Sequence, residues 1–260
     1  MNTLRQGLKD DPEVFFLQQL LNEQHLGRHF WTDGYFGAET QAGVKEVQRK
    51  NKLSPNGIVN QDTWAALRKG VDISKNIQIT IDDAPGPQNA DMRALLRRFK
   101  ISTMFFVEGE FAAKREHDIK AIVADGHGLG LHTWDHPVLT KLSDTQITDE
   151  IMRTDAVIKK QTGKSMAPNW RPPYGAVDGR VRKVAAAAGF TKAWMWDADS
   201  LDWKYLDRTN AIVMQVVKEL AKCHKKTCDI LFHDKPTTLK ALNTLLPLLI
   251  EEGNKIVDFP

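Results

Sequence analysis

The chain is poor in cysteine. Two cysteines in 260 residues exclude a disulfide-rich scaffold and a zinc site built from four thiolates. No segment approaches the roughly 20 apolar residues needed to cross a bilayer, so no membrane span is expected. The N-terminus, MNTLRQGLKDDPEV, has no apolar run and no small-residue cleavage site, so it does not read as a secretory signal. Internal repeats and low-complexity segments are absent. Charge of one sign is also scarce. Lys plus Arg is 36 and Asp plus Glu is 33, a net charge of +3. That imbalance is too small to argue for nucleic acid, which shows as a clustered basic face. What remains is ordinary globular composition, 42% hydrophobic and 27% charged, which excludes wholesale disorder, collagen and coiled coil. The length allows one large domain or two unequal ones.

Two parts can be told apart, with a boundary near residue 70. In the first part, Asp11-Pro12 precedes Val14, Leu17, Leu20 and Leu21, whose spacing gives one apolar helix face. Turn signals at Asp33-Gly34, Phe36-Gly37 and Asn56-Gly57 punctuate the next stretch of chain. Val44 and Val47 mark a second helix, Trp64 and Leu67 a short third. Residues 1–70 read as a small all-helical domain and 71–76 as a linker. Residues 77–260 change rhythm. Short apolar runs at Ile77–Ile81, Thr103–Val107, Leu129–Leu131, Lys192–Trp196, Ile230–Phe232 and Lys255–Val257 read as strands. Helices are expected between them, among them Phe111–Ala124, Thr145–Thr162 and Arg208–Lys222. Alternation of this kind predicts an α/β fold with parallel strands, either an open sheet or a (β/α) barrel.

Polar residues gather where these strands end. Asp82-Asp83 follows the first, His132 to His136 the third, and His233-Asp234 the fifth. Asp197, Asp199 and Asp202 follow the strand at Lys192–Trp196. In parallel α/β folds those C-terminal ends form one rim, where active sites sit. His132 and His136 are four apart and can meet one metal ion, with an Asp from another strand end completing the set; two unrelated loop histidines fit the spacing as well. Adjacent carboxylates are commonly a solvated turn. Here they follow a buried strand and precede Pro85, so one can bind metal while its neighbour takes a proton from water. Arg171-Pro172-Pro173-Tyr174-Gly175 is stiff. It can be a surface turn, or it can fix Arg171 against a carboxylate and free the Tyr174 N–H for an oxyanion.

Together these stretches resemble the NodB-homology polysaccharide deacetylases, carbohydrate esterase family 4. Five family motifs stand in order: Thr80-Ile81-Asp82-Asp83-Ala84-Pro85, His132-Thr133-Trp134-Asp135-His136, Arg171–Gly175, Asp199-Ser200-Leu201-Asp202-Trp203, and Leu231-Phe232-His233. The resemblance implies a distorted (β/α) barrel and metal-dependent removal of acetyl groups from a sugar polymer. By position, Asp83, His132 and His136 would hold the metal, Zn2+ or another divalent transition metal. Asp82 would be the general base, oriented by Arg171. The Tyr174 amide would bind the oxyanion. His233 would protonate the leaving amine, tuned by Asp202, and Pro172, Trp203 and Leu231 would wall the acetyl pocket. One departure is Ala84, where the family has glycine. If that position needs φ > 0, a Cβ there is strained; if it needs only room, Ala84 narrows the cleft.

The first part resembles the three-helix peptidoglycan-binding domain. The residues that carry the likeness are Leu17-Gln18, Asp33-Gly34-Tyr35-Phe36-Gly37, Gln48, Asn56-Gly57-Ile58-Val59 and Thr63-Trp64. The two resemblances imply a peptidoglycan N-acetyl deacetylase acting on GlcNAc or MurNAc in glycan strands, at the cell envelope or secreted. Two alternatives stand beside it: an inert wall-binding protein, favoured only by Ala84, and a deacetylase of chitin or acetylated xylan. Cys223 and Cys228 flank a basic turn, where a disulfide and two free thiols are both open. Trp31, Trp134, Trp194 and Trp196 could stack on sugar rings; Trp194 and Trp196 are rather expected in the core, since they fall in an expected strand, and His127 is expected to be structural.

Overall fold

A computed structural model describes residues 1–259. The chain opens with three helices, α1 (Pro12–Glu23), α2 (Ala38–Lys50) and α3 (Gln61–Arg68). The Asp11 carboxylate caps α1, accepting the N–H groups of Glu13 at 2.8 Å and Val14 at 3.3 Å. The Asn60 side chain caps α3 by accepting the Thr63 N–H at 3.0 Å. Two buried glutamines hold the turns in the same way. The Gln18 side-chain oxygen accepts the N–H groups of Asp33 and Gly34 at 3.0 and 2.9 Å. That of Gln48 accepts the Gly57 N–H at 2.9 Å. The Gln48 amide nitrogen donates to the Asn56 side chain at 3.1 Å and the Ile58 carbonyl at 2.9 Å. The spacing of these residues shows no repeat, yet each helix–turn unit closes on one buried amide.

The larger part alternates strands and helices: β1 (Asn76–Ala84), α4 (Asn89–Phe99), β2 (Met104–Val107), α5 (Gly109–Lys114), α6 (Glu116–Ala124), β3 (Gly128–Leu131), α7 (Asp144–Thr162), β4 (Asn169–Trp170), α8 (Gly179–Ala187), β5 (Lys192–Ala193), β6 (Ala198–Asp199), α9 (Asp202–Tyr205), α10 (Thr209–Lys222), β7 (Thr227–His233), α11 (Pro236–Glu251) and β8 (Lys255–Ile256). All strand pairs are parallel, in the order β5-β4-β3-β2-β1-β7-β6, with β8 also on β1. β7 follows β1 along one edge from Asn76 to Asp82. β8 and β2 share the other edge, β8 at Asn76–Ile77 and β2 from Thr80 onward. The two ends of the sheet, β5 and β6, are not paired with each other. The result is a curled, incomplete ring, a distorted (β/α) barrel.

Two expected elements differ. The single helix at Phe111–Ala124 is two, broken at Arg115 (φ −135°, ψ 46°). The strand at Lys192–Trp196 keeps only Lys192–Ala193. The Arg171 guanidinium takes the carbonyls of Trp194 at 3.3 Å and Met195 at 3.4 Å, which draws them out of any ladder. Trp194 is buried as expected, whereas Trp196 lines a cleft at the C-terminal ends of the strands. A disulfide joins Cys223 and Cys228 between α10 and β7.

α1 has two apolar faces rather than one. Val14, Leu17, Leu20 and Leu21 lie in the small helical core. Phe15 and Phe16 lie in the large core with Ile212, Val213 and Val216 of α10. Arg68 at the end of α3 pairs with the buried Glu252 at 2.7 Å. The two parts therefore share a packed seam, and residues 71–75 between α3 and β1 carry no regular structure.

Candidate active site

The site begins with an irregularity in β1. Against β2 the register runs Thr80↔Met104 and Ile81↔Phe105, then shifts to Ala84↔Val107. Three steps on β1 thus face two on β2, and the extra residue falls in the Asp82-Asp83 pair. Neighbours in a regular strand point to opposite faces. A bulge re-aims a side chain, and Asp83 sits here at φ 58°. Both carboxylates therefore reach the same place: Asp82 Oδ2 is 3.5 Å and Asp83 Oδ1 3.7 Å from His132 Nε2. Ala84 is not a left-handed residue. It is fully buried in the large core, its carbonyl accepts the Glu108 N–H at 3.0 Å, and it does not line the cleft. Neither expected consequence of Ala84 is met. The tight spot lies two residues on, where a Cβ on Gly86 would fall 2.4 Å from the Asp234 carbonyl oxygen.

The strand ends bring the expected ligands together. His132 follows β3, and its Nδ1–H donates to the Arg171 carbonyl at 2.7 Å, which leaves the Nε2 lone pair for the cleft. His136 is returned by a loop with two left-handed residues, Thr133 (φ 67°) and His136 (φ 62°). The His136 N–H donates to Thr133 Oγ1 at 3.2 Å, and His136 Nε2 lies 3.7 Å from Asp83 Oδ1. One donor atom from each of Asp83, His132 and His136 lies within 4.8 Å of the others. Asp83 Oδ1 is buried and has no hydrogen-bond partner among the described residues. A bare carboxylate oxygen in that position is costly unless a cation takes it. Burial pushes the His132 imidazole down to about 3 and also lowers that of His136 against the pull of Asp83. Both rings are held in the neutral, ligating form. Two imidazole nitrogens and one carboxylate oxygen fit a divalent transition metal with open coordination positions.

Two charge pairs flank these donors. Asp82 is buried, and its Oδ1 accepts from Arg171 Nη1 at 2.7 Å. Arg171 is wholly buried; Nη1 also donates to Thr80 Oγ1 at 2.9 Å, and the guanidinium lies 4.1 Å from the Phe106 ring centroid. Burial raises the Asp82 carboxyl against the opposing charge of Arg171. In the second pair, His233 Nδ1 meets Asp202 Oδ1 at 2.6 Å, and the His233 N–H donates to Asp202 Oδ2 at 2.8 Å. Thr238 Oγ1 donates to the same oxygen. Burial acts to lower the His233 imidazole, but the hydrogen bond and charge of Asp202 outweigh it and leave it raised.

Between the pairs lies a cleft of about 390 Å³. Pro172, Trp203 and Leu231 line it, with Tyr174 at its mouth. Tyr174 is at φ 58°, ψ 10°, and its amide N–H finds no acceptor among the described residues. Five of the ten non-glycine residues at positive φ among the described residues are Asp83, Thr133, His136, Tyr174 and Leu201. Backbone strain is thus concentrated in the motif loops. Two cleft residues were given no role from sequence, Asp199 and Lys235, and a third, Trp196, was expected in the core with sugar stacking as the other reading. Lys235 could have been found, because it stands two residues after His233. Trp196 reaches the cleft because its strand ends at Ala193. Glu108, at the end of β2, also escaped notice; burial and the Asp83 charge push its carboxyl up to about 8. His127 is structural, its Nδ1 accepting the Thr103 N–H at 3.3 Å.

Comparison with known proteins agrees with this geometry. The Polysaccharide deacetylase family profile matches residues 69–193 and the Putative peptidoglycan binding domain profile residues 10–67. Peptidoglycan-N-acetylglucosamine deacetylase PgdA of Listeria monocytogenes is 33% identical over 186 residues, 71% of this chain and 38% of that protein. The chain thus spans well under half the length of that relative. The family 4 carbohydrate esterase of Streptomyces lividans, solved with acetate, superposes with a TM-score of 0.62 at 30% identity, covering 70% of this chain and 91% of that one. A CE4 family pseudoenzyme from Bacillus anthracis superposes with a TM-score of 0.64 at 25% identity, covering 73% and 65%. The profile match, the likeness to a solved esterase over most of that enzyme's length, and the five motifs converging on one cleft agree: the chain belongs to the polysaccharide deacetylase family, carbohydrate esterase family 4.

Proposed function

We propose that the protein hydrolyses the N-acetyl groups of peptidoglycan amino sugars, GlcNAc or MurNAc, while its helical domain holds the wall. The observation that carries this reading is that the Asp82–Arg171 and His233–Asp202 pairs meet one cleft with the donors Asp83, His132 and His136, of which Asp83 Oδ1 has no partner among the described residues. Asp83, His132 and His136 would hold the cation, Zn2+ by donor chemistry. Bound there, it supplies Lewis acidity to a water and to the acyl oxygen.

The chain's own groups supply the rest. Asp82, with its carboxyl raised by burial, takes a proton from the water that attacks the acetyl carbon. Arg171 holds it in place through the 2.7 Å contact. The Tyr174 N–H donates to the oxygen that gains charge. His233, kept protonated by Asp202, gives its proton to the leaving nitrogen. The C–N bond breaks, acetate leaves and the sugar keeps a free amine. Each acid or base step of this kind contributes about 10²–10⁴-fold.

The helical domain and the Listeria relative favour peptidoglycan over chitin or xylan, and with it action at the envelope. The inert alternative rested on Ala84, which lies outside the cleft. Acetate release from purified peptidoglycan, with Zn2+ and after chelation, tests the proposal against Asp82→Asn. Mass spectrometry of the muropeptides identifies the sugar. No release from metal-loaded protein overturns it.

A further inference from the structure

A second groove, of about 470 Å³, lies on the seam between the helical part and α10. Lys9, Asp10, Tyr205, Arg208, Gln215 and Lys218 are among its lining residues. Three cations face one carboxylate there. Nearby Lys222 is paired with Glu219 at 2.9 Å, whereas none of Lys9, Arg208 and Lys218 is within ion-pair distance of a carboxylate among the described residues. Two of the three lie over aromatic rings: Lys9 Nζ is 5.7 Å from the Tyr35 centroid and Arg208 Cζ 5.6 Å from that of Tyr205. Gathering three cations against one carboxylate is unfavourable by itself and favours an anionic ligand.

Two links connect the groove to the catalytic cleft. One is α9, which carries Trp203 in the cleft and Tyr205 in the groove. The other is Gln215, whose amide donates to the carbonyl of Asp199, a cleft residue, at 3.3 Å. The position is also fixed, because Phe15 and Phe16 bury α1 in the large core beside α10.

We propose that this seam groove binds carboxylates carried on the same polymer strand whose acetyl group occupies the cleft. On the reading of the protein as a peptidoglycan deacetylase, those are the carboxylates of the stem peptide on a neighbouring sugar. The groove, rather than the cleft, then distinguishes peptide-bearing glycan from bare glycan.

The test uses the full, metal-loaded chain and the triple variant Lys9→Gln/Arg208→Gln/Lys218→Gln. Three substrates are compared: soluble peptide-bearing glycan, the same glycan stripped of peptides by an amidase, and chitin oligomers. Three partly screened ion pairs predict an apparent KM about five- to tenfold higher for the variant on peptide-bearing glycan. kcat should be unchanged, neither constant should move on the other two substrates, and raised salt should erase the difference. Equal KM values on peptide-bearing glycan, or the same change on all three substrates, overturn the groove. Should no substrate be deacetylated by either protein, the catalytic reading fails and the groove is read by co-sedimentation. The parent should then bind peptide-bearing sacculi more than stripped ones and the variant should not; equal sedimentation of parent and variant overturns it.

Discussion

Asp82 and His233 are register partners on adjacent parallel strands, β1 and β7. Each reaches the cleft with its own counter-charge, Arg171 at 2.7 Å and Asp202 at 2.6 Å. Neighbouring strands are about 4.8 Å apart, so one rung of the sheet sets the proposed base beside the proposed acid. Burial raises the Asp82 carboxyl against Arg171, and Asp202 raises the His233 imidazole against burial.

Asp82→Asn should lower acetate release by about 10²–10⁴-fold with metal content unchanged. Asp82 pairs with Arg171, and the orphaned oxygen belongs to Asp83. Elemental analysis beside the activity assay checks this; loss of metal in proportion to activity would put Asp82 among the ligands.

Zn2+ at a hundredfold excess over its Kd should stabilise the fold by about 2.7 kcal/mol, read as a shift of the thermal midpoint that chelation reverses. Asp83→Asn should abolish most of the shift. Asparagine is the apt replacement because it tolerates the left-handed backbone at φ 58°. An unchanged shift would remove Asp83 from the site.

Activity should fall at alkaline pH as the His233 imidazolium is lost. Asp202 holds that group above its ordinary value of 6.5. Asp202→Asn should therefore move the alkaline limb of kcat/KM to lower pH. The same sign governs stability. The pair's contribution is full below the unfolded pKa of His233 and disappears as pH rises through the raised folded value. An alkaline limb that stays in place would assign it to another group.

Ala84→Gly should bring no gain in activity. It deletes a methyl buried in the core and loosens a strand, costing about 1–2 kcal/mol. Chemical denaturation and acetate release check the two halves. A marked rise in kcat would restore Ala84 as a brake on the chemistry.

Phe16→Ala should cost about 3–5 kcal/mol. Phe16 is 5% exposed in the core of the larger part, although it stands on a helix of the smaller one. The unaltered chain should unfold in one calorimetric transition; two resolved transitions would show modules that fold apart.

The candidate site was legible in the chain because it depends on residue type. Asp82, Asp83, His132, His136, Asp202 and His233 were expected near strand ends, which parallel strands bring to one rim. Arg171 was left open by its stiff turn and assigned by the resemblance, since β4 (Asn169–Trp170) is too short to be read from the chain. The start of α1 was legible for a similar reason, since Asp11-Pro12 acts locally. Strand lengths were not, because the carbonyls of Trp194 and Met195 are claimed by an arginine more than twenty residues away. The open question at Cys223 and Cys228 was likewise settled only by distance, at 6.3 Å between their Cα atoms.

Sequence alone thus determined which groups could do acid, base and ligand work, and that the chain has a helical part and an α/β part. Tertiary structure decided how those groups are aimed. The β1 bulge turns Asp83 beside Asp82, and this is a matter of register against β2. The second apolar face of α1 is a matter of what it meets, and Phe15 and Phe16 cannot announce a partner outside their own domain. The cationic seam arises from the same packing: Lys9 and Lys218 are far apart along the chain, and only the docking of α1 beside α10 makes them neighbours.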